Sequence, residues 1–350
     1  MILEVLGSKI RLSEGDAGRA FDAEPWSRCV RPDGPHDGEV NLHGDARSAE
    51  IGITRRGIEL ARGRLHVWHA AGVSLPSGQV VALVGPSGSG KTTAAGLLAS
   101  SGWGYVTDEA LGIRLDGTVV PYPKPLAVVG STGKTLVGPD ELGLGRHPRE
   151  LTLAAIVLLD RRHDETRPSL TRVSVLEGAL GLIAQSSGLV SLPYPLRSTL
   201  RLISRCGGIH RLAYRDISSA LELLRDLVRD DAFPPRDNPE SWVPIECSEN
   251  GHPAALAIGQ VARAPFADAV ATDEEVLVLR DSVPVLMAGI GASIWRAATT
   301  PMPIREVLDH LRRTHGDHPL ASDLAGAAID QLAGAGVLLR GQAVSRDEPS

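Results

Sequence analysis

The 350-residue chain is 43% hydrophobic and 22% charged, with a formal charge of −6 and only four lysines. Its length suits two domains with a sizeable core, and its acidic balance excludes a dedicated nucleic-acid or anionic-membrane binder, which needs a cationic footprint. Three widely spaced cysteines, Cys29, Cys206 and Cys247, exclude a disulfide framework, and no apolar run is long enough to span a bilayer, so a cytoplasmic protein is expected.

Residues 1–60 read as a β-rich subdomain, with strand-like pieces at Ile2–Leu6, Glu39–Leu42 and Ala49–Ile53 around a turn-rich stretch at 31–38. Ile58–Arg64 has helical spacing, and Leu65–His69 reads as a buried strand. The apolar run Val80–Val84 leads into Gly85-Pro86-Ser87-Gly88-Ser89-Gly90-Lys91-Thr92, which fits G-x-x-x-x-G-K-[ST], and the helix-compatible Thr93–Ala99 follows. Strand, loop and helix in that order are the context in which this pattern binds phosphate. Glycines let backbone N–H groups converge on the phosphates at the positive end of a helix. Lys91 would reach the β- and γ-phosphates and the Thr92 hydroxyl a Mg²⁺ ion, so residues 85–93 are expected to bind ATP with Mg²⁺.

Tyr105–Thr107 reads as a strand ending in Asp108-Glu109, and a hairpin is expected across Gly112–Val120 with its turn at Asp116-Gly117. Leu151–Leu159 has the length of a buried strand, and Leu176–Ile183 and Ile217–Val228 have helical spacing. Ile156–Asp160 mimics a Walker B strand, but Arg161 follows where an ATPase would place a catalytic glutamate, so a core strand is expected. Gly133-Lys134-Thr135 is a decoy, because Val128 stands where the first loop glycine would be. Residues 231–261 read as a linker. Beyond it, Ala267–Ala271, Glu275–Leu279 and Val283–Met287 read as strands. Ile290–Ala298, Ile304–Arg313 and Leu320–Ala335 read as helices, and 342–350 as a polar tail. Cys206 with His210, and His310, His315 and His318, lack the spacing of a metal-ligand set.

His69 stands sixteen residues before Gly85, and Asp108 sixteen after Thr92. With His-Ala-Ala-Gly-Val before the loop and Gly-Tyr-Val-Thr-Asp-Glu after it, this layout resembles the HPr kinase/phosphorylase superfamily, especially its small relatives in gene clusters for ribosomally made, modified peptides. The resemblance covers about 60–230 and takes in Pro121-Tyr122-Pro123-Lys124-Pro125. It implies an α/β P-loop kinase domain of the HPr kinase and phosphoenolpyruvate carboxykinase type over 61–230, with His69 as its active-site histidine. A carboxylate at a strand end beside the loop can accept a hydroxyl proton, and a second can support Mg²⁺. Asp108 is therefore expected as the base, and Glu109 as an acid on the metal side with Thr92. The family's Glu-Val-Arg-Gly-Leu-Gly signature has no intact counterpart, since Asp140–Gly145 reads as a plain turn. Phosphorylase activity, and HPr as substrate, are accordingly not carried over.

Residues 262–341, with Gly291-Ala292-Ser293-Ile294-Trp295, resemble PqqD, a small α+β winged-helix domain. That resemblance implies capture of a precursor's leader peptide as an added strand, with Val283, Val285 and Met287 on the edge and Leu324 and Ala328 on the last helix. Seven arginines, no lysine and ten carboxylates between Arg263 and Arg340 disfavour DNA. The expectation is thus an ATP-dependent kinase that phosphorylates a hydroxyl, expected to be serine, of a precursor peptide. Its rivals are a non-kinase P-loop ATPase, since Leu75–Val81 also resembles transporter ATPases, and a nucleotide-dependent peptide-delivery scaffold. No nucleic-acid or membrane partner is expected, and homo-oligomerisation is left open.

Overall fold

A computed structural model describes residues 1–14, 21–130, 133–229, 241–246 and 256–341. The chain divides into two units, Met1–Pro239 and Glu240–Ser350, and the first of them takes in residues 1–60. The expected linker lies largely, and the expected tail wholly, outside the described residues. No helix among the described residues is long and apolar enough to cross a membrane.

The first unit opens with a four-stranded sheet: β1 (Ile2–Val5), β2 (Ser8–Glu14), β3 (Val30–Arg31) and β4 (Gly38–Leu42), in the order β3-β1-β2-β4. Helix α1 (Ala46–Ala61) follows, started by Asp45, whose Oδ1 accepts the Ser48 N–H at 2.9 Å. Its buried stripe is Ala49, Glu50, Ile53, Thr54, Gly57 and Ala61. Ala49–Ile53 is therefore helical, not the expected strand, because the helical period shows only over a window longer than five residues. Gly57 is where the helix meets β1, and a Cβ there would overlap Val5 Cγ1.

Next come β5 (His66–Ser74), β6 (Gln79–Val84), α2 (Lys91–Ala99), β7 (Gly104–Thr107), β8 (Ala110–Ile113) and β9 (Val119–Val120). A hairpin of β10 (Leu126–Gly130) and β11 (Gly133–Val137) precedes β12 (Thr152–Arg161), β13 (Ser169–Val173) and α3 (Val175–Ile183). The unit ends with β14 (Ser186–Ser187), α4 (Pro195–Arg205), β15 (Ile209–Tyr214) and α5 (Leu221–Arg229). The main sheet runs β13-β15-β12-β6-β5-β8-β9, with β7 and β14 also paired to β5. Strands β6, β12 and β15 are parallel, whereas β5 is antiparallel to β6. Strands β6 and β12 read as nearly unbroken apolar runs because they are buried on both faces.

The second unit holds β16 (Val243–Pro244), β17 (Gln260–Arg263), β18 (Asp268–Ala271), β19 (Glu275–Arg280), β20 (Val283–Ala288), α6 (Gly289–Ala297), β21 (Met302–Pro303), α7 (Ile304–His315), α8 (Ala321–Gly334) and β22 (Leu338–Arg340). One sheet runs β16-β18-β19-β20 and the other β21-β17-β22; the second sheet was not foreseen. Trp295 is fully buried and its indole N–H donates to Val337 O at 3.0 Å, so it is a core residue.

The register fixes which way the β20 backbone faces. Thr272 N–H donates to Glu275 O at 3.0 Å and Ala267 N–H to Leu279 O at 2.7 Å, so odd-numbered β19 residues face β18. Val276, Val278 and Arg280 must then exchange bonds with Met287, Val285 and Val283. Pro284, Leu286 and Ala288 turn their backbone groups to the outer edge. Val285 N–H thus serves the sheet itself, although Val285 is expected on the edge, and an outward N–H belongs to Leu286. Val283 and Leu324 are exposed, Val285 and Ala328 half-buried, and Met287 is buried in the core.

Candidate active site

The 85–92 loop joins β6 to α2 as its pattern requires, with Gly88 and Gly90 in the left-handed region at φ 83° and 89°. A Cβ at Gly85 would come within 2.9 Å of Ser89 Oγ and 3.0 Å of Leu159, so this close turn needs glycine. The Lys91 ammonium curls back over the loop and donates to Gly85 O at 2.7 Å and Pro86 O at 2.9 Å. Burial draws its pKa down to about 8, against the pull of Asp108 and Glu109. An ammonium resting on loop carbonyls in a half-dry site is poised for an incoming anion.

Asp108 and Glu109 occupy the corner between β7 and β8, where both strands run along β5 and the β5–β7 register slips between Gly72 and Val73. Such an irregularity re-aims side chains out of the ladder. Asp108 Oδ2 accepts the Thr92 hydroxyl at 2.8 Å, and its Oδ1 lies 3.1 Å from the Tyr105 hydroxyl and 3.3 Å from Lys124 Nζ. Glu109 Oε2 is 3.1 Å from the same ammonium, which is also bonded to Glu50 and to Pro125 O. Lys124 is only 2% exposed, whereas the Glu109 side chain is 45% exposed. Burial alone would lower the Lys124 pKa; Asp108, Glu109 and Glu50 outweigh it and hold the ammonium above its ordinary value. Glu50 is pushed up by burial despite Lys124.

His69 lies on β5, with Nδ1 3.3 Å from Gln185 Oε1. Burial and then Lys91 lower its pKa, so the imidazole is neutral at neutral pH. Arg161, at the end of β12, donates from Nη1 to Gly88 O at 3.1 Å and from Nε to Arg215 O at 3.2 Å. One cavity of about 770 Å³ is lined by Ser87, Lys91, Thr92, Asp108, Glu109 and His69, as well as by Arg161, Lys124, Glu50 and Arg47.

No protein-family model matches the chain. It is 35% identical over 83 residues to the thiamine import ATP-binding protein ThiQ of Vibrio parahaemolyticus serotype O3:K6 (strain RIMD 2210633). That match takes in 22% of this chain and 34% of ThiQ, so the chain spans about a third of the curated relative it matches. Among solved structures it is similar to the Hpr(Ser) kinase/phosphatase from Coxiella burnetii, at 15% identity and a TM-score of 0.28, over 47% of this chain and 95% of that one.

The residues singled out in the first unit, His69, the 85–93 loop, Asp108 and Glu109, gather around or line this cavity. Asp140–Gly145 is the turn expected of it, with Asp140 ion-paired to Arg28 and Arg146. Four cavity residues were not foreseen as functional: Lys124, Glu50, Arg47 and Arg161. An arginine ending a strand parallel to the loop strand was a usable signal for Arg161; nothing local marked Glu50. The oxygen donors of Thr92, Asp108 and Glu109 are of the kind Mg²⁺ takes, and their small number fits an ion that shares its shell with phosphates and water. Among the described residues no group of three or more His, Cys, Asp or Glu could hold a metal by itself.

Proposed function

We propose that this chain is a P-loop phosphotransferase that moves the γ-phosphate of ATP to a hydroxyl group. The observation that carries this reading is the 2.8 Å bond between the loop hydroxyl of Thr92 and Asp108, with Glu109 beside it in the same cavity as Lys91. ThiQ is named for ATP binding, and the matched segment supports the same ligand here. In the transfer, the bond from the γ-phosphorus to the β–γ bridging oxygen breaks and ADP leaves. The acceptor oxygen bonds to phosphorus, and its proton passes to a carboxylate. Mg²⁺, when bound, neutralises the β- and γ-phosphate charge.

The partners of the two acids favour a division of labour opposite to the one expected from sequence. Asp108 is buried, with both oxygens engaged by Thr92, Tyr105 and Lys124, which suits the metal side. Glu109 faces the cavity and has Lys124 as its ion-pair partner, which suits a base for the acceptor. Neutral His69 can donate to the acceptor or the γ-phosphate, and Arg161 can meet phosphate charge from the other side of the loop.

For the acceptor, we infer a precursor peptide whose leader pairs as a strand along the β20 edge, bringing a serine to the first unit. The outer edge of β20 at Leu286, unpaired among the described residues, and the exposed Val283 and Leu324 support this reading. A delivery scaffold would not need Glu109 beside Asp108, whereas an ATPase would use the same pair with water in place of the acceptor hydroxyl. Incubation with γ-labelled ATP and the precursor encoded nearest this gene tests the proposal. Label should enter the leader-bearing peptide and enter leaderless core far more slowly. Nucleotide hydrolysis without any labelled peptide favours the ATPase.

A further inference from the structure

Asp108 and Glu109 stand at the bend between β7 and β8, where the alternation of an extended strand is broken. Both bring carboxylate oxygens to a single atom, Lys124 Nζ, at 3.3 and 3.1 Å. The ammonium itself has little freedom. Glu50 of α1 and Pro125 O, at 3.1 Å, hold it from its other sides. Its backbone is set between Pro123 and Pro125, with Lys124 N–H donating to Tyr122 O at 2.8 Å. Prolines fix φ on either side, so the lysine is anchored at both ends. Three carboxylates, two from the β7–β8 bend and one from α1, surround one buried cation and would repel and splay without it.

We propose that Lys124 is a positioning residue: it gathers the Asp108 and Glu109 carboxylates beside Thr92, and α1 locks it in place through Glu50. The inference rests on the phosphotransferase reading, in which Asp108 serves the metal side. It makes the amino-terminal helix part of the site rather than a neighbour of it, because Glu50 reaches across 74 residues of sequence to do this. A purely structural ion pair would hold the fold and leave the metal indifferent to it. A positioning lysine couples to metal binding and leaves the loop's own grip on nucleotide alone.

The test uses the full chain, AMP-PNP as the nucleotide and Mn²⁺ as a paramagnetic metal, with free Mn²⁺ read by electron paramagnetic resonance. In Lys124→Met, AMP-PNP affinity in EDTA should stay close to the wild-type value, since Lys91 and the loop backbone are untouched. The Mn²⁺ affinity of the nucleotide complex should fall by about tenfold or more, as is typical when the residue orienting a metal ligand is removed. If Lys124→Met does not fold, Lys124→Met with Glu50→Leu exchanges the buried pair for apolar side chains and carries the same expectation. Unchanged or tighter Mn²⁺ binding with normal nucleotide binding overturns this inference alone. A wild-type chain that binds no AMP-PNP, with or without metal, overturns the phosphate-loop reading and this inference with it.

Discussion

Asp108 and Glu109 are neighbours in sequence with unlike surroundings, and substitution should separate their roles. Glu109→Gln should keep metal-dependent nucleotide affinity and slow transfer by roughly 10²–10⁴, the usual worth of a general base. Asp108→Asn should first weaken metal-dependent affinity, because it loses charge beside Thr92. Isothermal titration with and without Mg²⁺, together with single-turnover rates, reads both; the reverse pattern returns the base to Asp108. A second residue-scale effect lies outside the cavity. His66 is buried, neither ring nitrogen has a hydrogen-bond partner among the described residues, and burial lowers its pKa from 6.5 to about 4. Between those values the unfolded chain binds the extra proton, so stability falls as pH drops from 6.5 to 4, by roughly 3 kcal/mol in total. His66→Phe should flatten that slope in denaturant titrations at stepped pH; an unchanged slope would place the acid sensitivity elsewhere.

Helix α1 bears on both stability and the site, because Gly57 sits against Val5 while Glu50 reaches Lys124. Gly57→Val should destabilise the chain by about 1–3 kcal/mol through overpacking, despite removing a helix glycine. Equal or greater stability in urea unfolding would mean that the helix can shift off β1. In β20 the direction of each N–H separates folding from binding. Val285→Pro removes a bond to β19 and should lower the melting temperature. Leu286→Pro removes an outward donor, as Pro284 already does, and should leave the fold largely intact while weakening leader binding. Elements with apolar runs, such as β6 and β12, or with clear strand or helical spacing, such as the three strands and helices of the second unit, were legible in sequence. Others were not, each for a physical reason. Over Ala49–Ile53 the window was too short to tell helix from strand. Helix α4 opens with proline and buries Arg197, Ser198 and Thr199 among its apolar residues. Strands β17 and β22 are four and three residues long and exist because they pair with each other across the second unit's sequence.

At the scale of the whole molecule, what could be read in advance is the part encoded contiguously. The loop, its lysine and threonine, and the acids after the next strand form one sequence block, and they converge in the fold as that block implies. What could not be read is long-range: the Glu50–Lys124 pair, and the return of Arg161 to Gly88 across 73 residues. These depend on sheet order, which brings β12 beside β6 and lays α1 near the β9–β10 segment, and sheet order is not written locally. Thermal unfolding of the full chain with ATP and Mg²⁺ reads whether the 85–92 loop holds a nucleoside triphosphate. The wild type should gain about 2.7 kcal/mol at a nucleotide concentration a hundred times its Kd. Lys91→Ala, folded to the same extent without ligand, should gain almost nothing. Equal stabilisation of the two proteins would mean that the loop does not hold the nucleotide.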